Sequence, residues 1–141
     1  MSGARRKKSV TVAKADPQAR LEALAIELGE REEELSPEEA ADLYHQMGDI
    51  ELARGAVAEA LEHFDMALLG DPKHRGVLGS LTTAYGEARQ DERWADAASC
   101  LDRLIEAGGA PARVAKLHYA MGVLHRDKLG DVNAAVHAFE A

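Results

Sequence analysis

The side chains best suited to metal binding or proton transfer are six histidines (His45, His63, His74, His118, His125 and His137) and one cysteine, Cys100. A zinc centre gathers three or four such ligands, and a metalloprotease helix carries them as H-E-x-x-H. Neither pattern occurs. His118 and His125 are seven residues apart and can share a helix face, but no carboxylate or thiol at matching spacing completes a coordination shell. There is no nucleophile elbow, no Ser, His and Asp set, and no glycine-rich phosphate loop after a strand. The 25 acidic residues fall mostly on the polar sides of amphipathic stretches, where water solvates them, so they do not point to acid–base catalysis. The expectation is a protein that is not an enzyme and uses no metal and no cofactor.

What remains is electrostatics, and the charge is unevenly spread. Residues 1–20 hold Arg5, Arg6, Lys7, Lys8, Lys14 and Arg20 against Asp16, a net +5, so the other residues carry −13 of the chain's overall −8. An acidic body repels phosphates, so any nucleic acid contact falls to the basic tail and is not expected elsewhere. Cys100 sits in Ala98-Ser99-Cys100-Leu101 and reads as a buried, inert thiol with no cysteine to pair with. The first residues lack an apolar run, so neither a secretory signal nor a membrane span is expected, and the cytoplasm is the default location.

The elements that must position these residues read as helices. The chain is 46% hydrophobic and 30% charged but only 4% aromatic, which suits helices packed through small and aliphatic side chains. No stretch alternates cleanly, so the fold class is all-α. Residues 1–17 form a disordered basic tail ending at Asp16-Pro17. Leu21, Leu24, Ala25, Leu28 and Leu35 then keep helical spacing over 18–35, with Glu32-Glu33-Glu34 opposing the macrodipole in the last turn. Ser36-Pro37-Glu38-Glu39 is the clearest helix start, a cap followed by proline and a capping-box glutamate. From there two helices joined at Gly55 run to Gly70-Asp71-Pro72. The unit recurs over 73–109 and 110–141, about seven helices in all.

Within these units the small and large residues align. The first presents Tyr44, Met47, Gly48, Ala60, Phe64 and Pro72, with Gly48 to Ala60 and Ala60 to Pro72 both twelve residues apart. The second presents Leu78, Leu81, Thr82, Tyr85, Trp94, Ala97 and Leu101. The third presents His118, Met121, Gly122, His125, Ala135 and Phe139. The pattern resembles the tetratricopeptide-repeat family over Ser36 to Ala141, where glycine and alanine let paired helices approach and larger residues fill the space around them. Glu51 departs from it, standing where the family prefers tyrosine. The second unit has three extra residues between Thr82 and Ala97, expected as an enlarged turn at Gln90–Arg93, and the third has one extra between Gly122 and Ala135.

The resemblance implies an α-solenoid, a right-handed superhelix of antiparallel helix pairs, with a concave groove that accepts a peptide or helix of a partner protein. Its lining would be Asp42, His45, Asp49 and Leu52, then Gly76, Gly79, Thr83 and Glu87, then Lys116, Tyr119, Val123 and Arg126. Two glycines and a threonine would make an open floor between an acidic end and a basic end. His45 and Asp49 stand where a clamp for carboxylate tails needs Lys and Asn, which disfavours that use. Such arrays need about three repeats and capped ends. The helix at 18–35 is therefore expected as a cap, and the third unit as incomplete, the chain being either the N-terminal part of a longer array or self-associating through its open face. Two other functions stay open: a regulatory or assembly module of a larger multidomain enzyme or signalling protein, and a nucleic-acid-associated factor acting through the basic tail.

Overall fold

Asp16 accepts a hydrogen bond from the backbone N–H of Ala19, and Pro17 takes the first helical position, where its missing N–H costs nothing. Helix α1 therefore spans Pro17–Glu30, so Asp16 and Pro17 belong to this helix and not to the tail. It stops at Glu30 rather than Leu35. Carboxylates at a helix C-terminus face the negative end of the dipole, and Glu32, Glu33 and Glu34 lie in an exposed turn. The structure, a computed structural model, describes residues 16–141; the basic tail lies outside the described residues.

The described residues form seven α-helices and one π-helical turn, with no strand among them. The chain divides after His74 into two compact units. The first contains α1, α2 (Pro37–Ala53) and α3 (Val57–Gly70). The second contains α4 (Arg75–Gln90), α5 (Trp94–Ala107), α6 (Pro111–Leu124), the π turn His125–Leu129 and α7 (Val132–Glu140). Helix α2 pairs chiefly with α3, α4 with α5, and α6 with α7.

Helix α2 begins on a full capping box: Ser36 Oγ accepts from Glu39 N–H at 3.1 Å, and Glu39 Oε1 accepts from Ser36 N–H at 2.9 Å. These bonds, the one from the Ser36 backbone first, hold the Glu39 carboxyl below its ordinary range. A lowered carboxyl stabilises the fold above its ordinary value, and that contribution is lost as pH falls through the lowered one. Ser36→Ala is expected to cost about 1 kcal/mol in thermal denaturation. It should also flatten the acid limb of the pH–stability curve where Glu39 titrates.

Leu21 of α1 lies against Met47 and Ile50 of α2, with Leu24, Leu28 and Tyr44 around them. That covers the outer side of α2. At the far end of the α2–α3 hairpin a Cβ on Gly70 would stand 2.5 Å from the Pro37 carbonyl oxygen, so glycine lets the end of α3 touch the start of α2. Pro72 follows in an exposed turn.

The turns inside the first two pairs share one geometry. Gly55 is left-handed at φ 79°, with Ala56 N–H bonded to Glu51 O and Gly55 N–H to Leu52 O. Glu92 is left-handed at φ 58°, with Arg93 N–H bonded to Ala88 O and Glu92 N–H to Arg89 O. Both are Schellman closures. The second turn is thus no larger than the first. The three extra residues lie instead within α4, which runs eight residues past Thr82 to Gln90 where α2 runs five past Gly48 to Ala53. A non-glycine residue in the left-handed region is strained, so Glu92→Gly is expected to stabilise by about 0.5–1 kcal/mol, read as a rise of a few degrees in Tm.

In the third pair the single extra residue is taken up by the π turn His125–Leu129, which closes on Gly130 at φ 67°. A π turn is how a helix absorbs one inserted residue without losing its axis. In all three pairs the left-handed residue precedes a buried alanine by five positions: Ala60, Ala97 and Ala135. The insertions are placed so that the packing register survives.

Candidate functional site

Gly48 and Phe64 show how the first pair closes. A Cβ on Gly48 would lie 2.3 Å from Phe64 Cε1, and Phe64 is fully buried. The third pair repeats the contact, with a Cβ on Gly122 2.3 Å from Phe139 Cε1. In the second pair Leu101, also fully buried, takes the place of the ring, while Thr82, aligned with the glycines in the sequence, is exposed and donates its hydroxyl to Leu78 O at 2.8 Å.

Of the groove residues expected in the first pair, three are tied into local pairs. His74 Nε2 donates to Asp42 Oδ1 at 2.6 Å, which holds the segment after α3 against α2. His45 Nε2 lies 3.0 Å from Asp49 Oδ2 one turn on. The His45 ring sits 6.2 Å from that of Phe64 and 5.1 Å from that of His74. His45 is therefore largely a packing residue of this face, with Leu52 half-buried beside the acidic pair Asp42 and Asp49.

In the second unit Gly79, Thr83 and Glu87 are exposed on α4 and Gly76 is half-buried. A Cβ on Gly79 would meet nothing within 4 Å, so close packing does not explain that glycine. Lys116 is exposed and Val123 half-buried. Tyr119, 64% exposed, leans on the Phe139 ring at 5.7 Å. Arg126 lies over the same ring and bonds Asp127 through Nε at 2.7 Å and Nη2 at 3.0 Å. That fork, more than simple proximity, holds Asp127 below and Arg126 above their ordinary ranges. The basic end expected from Lys116 and Arg126 is weakened accordingly, because Arg126 already has its anion.

The structure brings together a second group that the groove reading did not include. Glu51 is buried, and its Oε1 accepts from Nδ1 of His63 on α3. The His63 ring stacks on Tyr44 at 6.2 Å. Glu51 and His63 line a cleft of about 410 Å³ between α1 and the α2–α3 hairpin. The available signal was Glu51 itself, an acid in an apolar register with His63 twelve residues on. In the second pair Ala88 stands in the same register, and Tyr85, half-buried one turn earlier, carries Arg89 over its ring; in the third His125 has its Nδ1 buried without a partner. Trp94 carries Lys128 over its ring at 5.0 Å.

Cys100 is fully buried, and burial pushes its thiol up to about 11, so it is a thiol and not a nucleophile at neutral pH. No described helix is long and apolar enough to cross a membrane. Comparison with models of known protein families, with curated proteins and with solved structures gives no match.

Proposed function

We propose that this chain is a protein–protein interaction scaffold of the tetratricopeptide type, stacking its helix pairs into a right-handed solenoid that holds a peptide or helix of a partner. The observation that carries this reading is the repeated hairpin: a left-handed turn, a buried alanine five residues on, and glycine closed by phenylalanine in two pairs of three. Gly79 supports the location of binding. Glycine in a helix interior costs about 1 kcal/mol relative to alanine, and here the space above it is empty of packing partners. An open floor for a ligand side chain accounts for that cost. The acidic pair Asp42 and Asp49 favours a partner segment with basic residues at that end.

The test is capture of a partner by the full chain, followed by Thr83→Arg, which fills the floor from an exposed position. The expected result is loss of the partner with unchanged helicity by circular dichroism. A partner retained on Thr83→Arg and on Gly79→Trp would sink the groove reading.

The exposed side of α7 favours self-association as a second reading. Counting from Gly130 and Glu92, Val132 and Val136 stand in register with Trp94 and Ala98, which pack in the core shared by α4, α5, α6 and α7. Val132 is 65% and Val136 48% exposed. Sedimentation should show a dimer that Val136→Asp abolishes; a monomer at high concentration removes this reading.

A further inference from the structure

Two histidines lie beneath the acidic face of α2, each against one of its carboxylates. His74 Nε2 is 2.6 Å from Asp42 Oδ1, and His45 Nε2 is 3.0 Å from Asp49 Oδ2. In both pairs the imidazole is the covered member and the carboxylate the open one. The side chains of His74 and His45 are 11% and 21% exposed, those of Asp42 and Asp49 66% and 47%. The two rings lie 5.1 Å apart, so the pairs form one group on one face. A partner approaching this face meets the carboxylates before the imidazoles.

Local structure sets this order. Asp42, His45 and Asp49 follow one another at three and four residues along α2, which places them on one side of the helix. From α3 the Phe64 ring faces His45 at 6.2 Å and brings no charge. The segment after α3 brings in His74, whose backbone N–H bonds Asp71 O. The charges flanking His74 in the chain are Asp71, Lys73 and Arg75, of mixed sign.

The charge of the face follows from these pairs. Histidine is the side chain whose ordinary titration falls between about pH 5 and 8, where aspartates are ionised. With both rings neutral, Nε2–H still donates to each carboxylate, and the four side chains carry two negative charges. With both rings protonated, the same contacts become ion pairs and the group is neutral. Two protons taken up under the face cancel its charge while both carboxylates keep their places.

We propose that protonation of His45 and His74 switches off the docking of a basic partner segment on this face of α2. The proposal rests on the reading that Asp42 and Asp49 receive basic residues of a partner, and it adds how that contact is controlled. Above the histidine range a Lys or Arg of the partner meets two uncancelled carboxylates. Below that range it must compete with imidazolium groups already seated against them. By linkage the bound segment favours the neutral rings, so docking releases protons.

The test is a chemical-shift titration of the full chain with acetyl-tetraarginine amide at about pH 8 and about pH 5.5, at one ionic strength. Saturable shifts at α2 residues around Asp42 and Asp49 are expected, with a Kd about tenfold weaker at the lower pH, the weight of two exposed ion pairs. His45→Gln with His74→Gln retains a neutral N–H donor for each carboxylate. That double variant should bind like the native chain at the higher pH and lose the pH response. Asp42→Asn with Asp49→Asn alters two exposed side chains and should bind weakly at both pH values. It tests the switch even if the glutamine variant folds poorly. A pH response that survives in either double variant would overturn the proposal. Equal affinity of the native chain at the two pH values overturns this proposal alone. No saturable binding at the higher pH overturns it together with the reading on which it rests.

Discussion

Gly48→Ala is expected to destabilise the protein by about 2–3 kcal/mol, although alanine is the better helix former. The sign is decided by space. Alanine would gain about 1 kcal/mol of helix propensity, but its Cβ would lie 2.3, 2.6 and 2.9 Å from three atoms of the Phe64 ring. That ring is fully buried and has no empty side to move into. Overpacking of this kind costs about 1–3 kcal/mol, with more where backbone must shift.

The third pair provides an internal control. A Cβ on Gly122 would meet Phe139 at the same 2.3 Å, but Phe139 is 40% exposed and can swing outward. Gly122→Ala should therefore cost less than about 1 kcal/mol. The second pair suggests the repair, since Leu101 stands there in the register of Phe64. Phe64→Leu alone should cost about 1 kcal/mol for the lost burial. Combined with Gly48→Ala it should recover part of the loss, a coupling of more than about 1 kcal/mol in a double-mutant cycle by urea denaturation. Strict additivity would show that the clash is not the cause.

The second large effect is expected at His63. His63→Leu removes the partner of a buried carboxylate, and breaking such a pair costs about 3–5 kcal/mol in a closed interior. Here His63 remains 26% exposed at the edge of a cleft, so water can reach part of the site. The expected loss at neutral pH is therefore about 2–3 kcal/mol. The double variant Glu51→Leu with His63→Leu should fall within about 1 kcal/mol of the native protein, because both polar groups leave together. Thermal denaturation of the two chains side by side makes the comparison. If the double variant is as unstable as the single one, the pair contributes through shape and not through charge satisfaction.

The sequence determined most of the helices by itself, because their signals are local. Ser36-Pro37-Glu38-Glu39 starts α2 through bonds spanning three residues, and Gly55 and Gly130 close helices through their own backbone freedom. The aligned small residues also marked Ala60 and Phe64 as the core of a hairpin, where both are fully buried. Three features needed the tertiary structure. Whether the extra residues of the second and third pairs enter a turn or a helix depends on keeping Ala97 and Ala135 buried. The longer run of α4 after Thr82 and the π turn both preserve that register. Which groove candidates face solvent depended on partners far away in sequence, as His74 on Asp42 and Phe64 under His45 show. The cleft around Glu51 is the clearest case. Its carboxylates come from three helices, and only the docking of α1 on the hairpin gathers them around one cleft. Caps and turns are written within a few residues of the chain. A cleft is made by surfaces that meet only once the helices have packed.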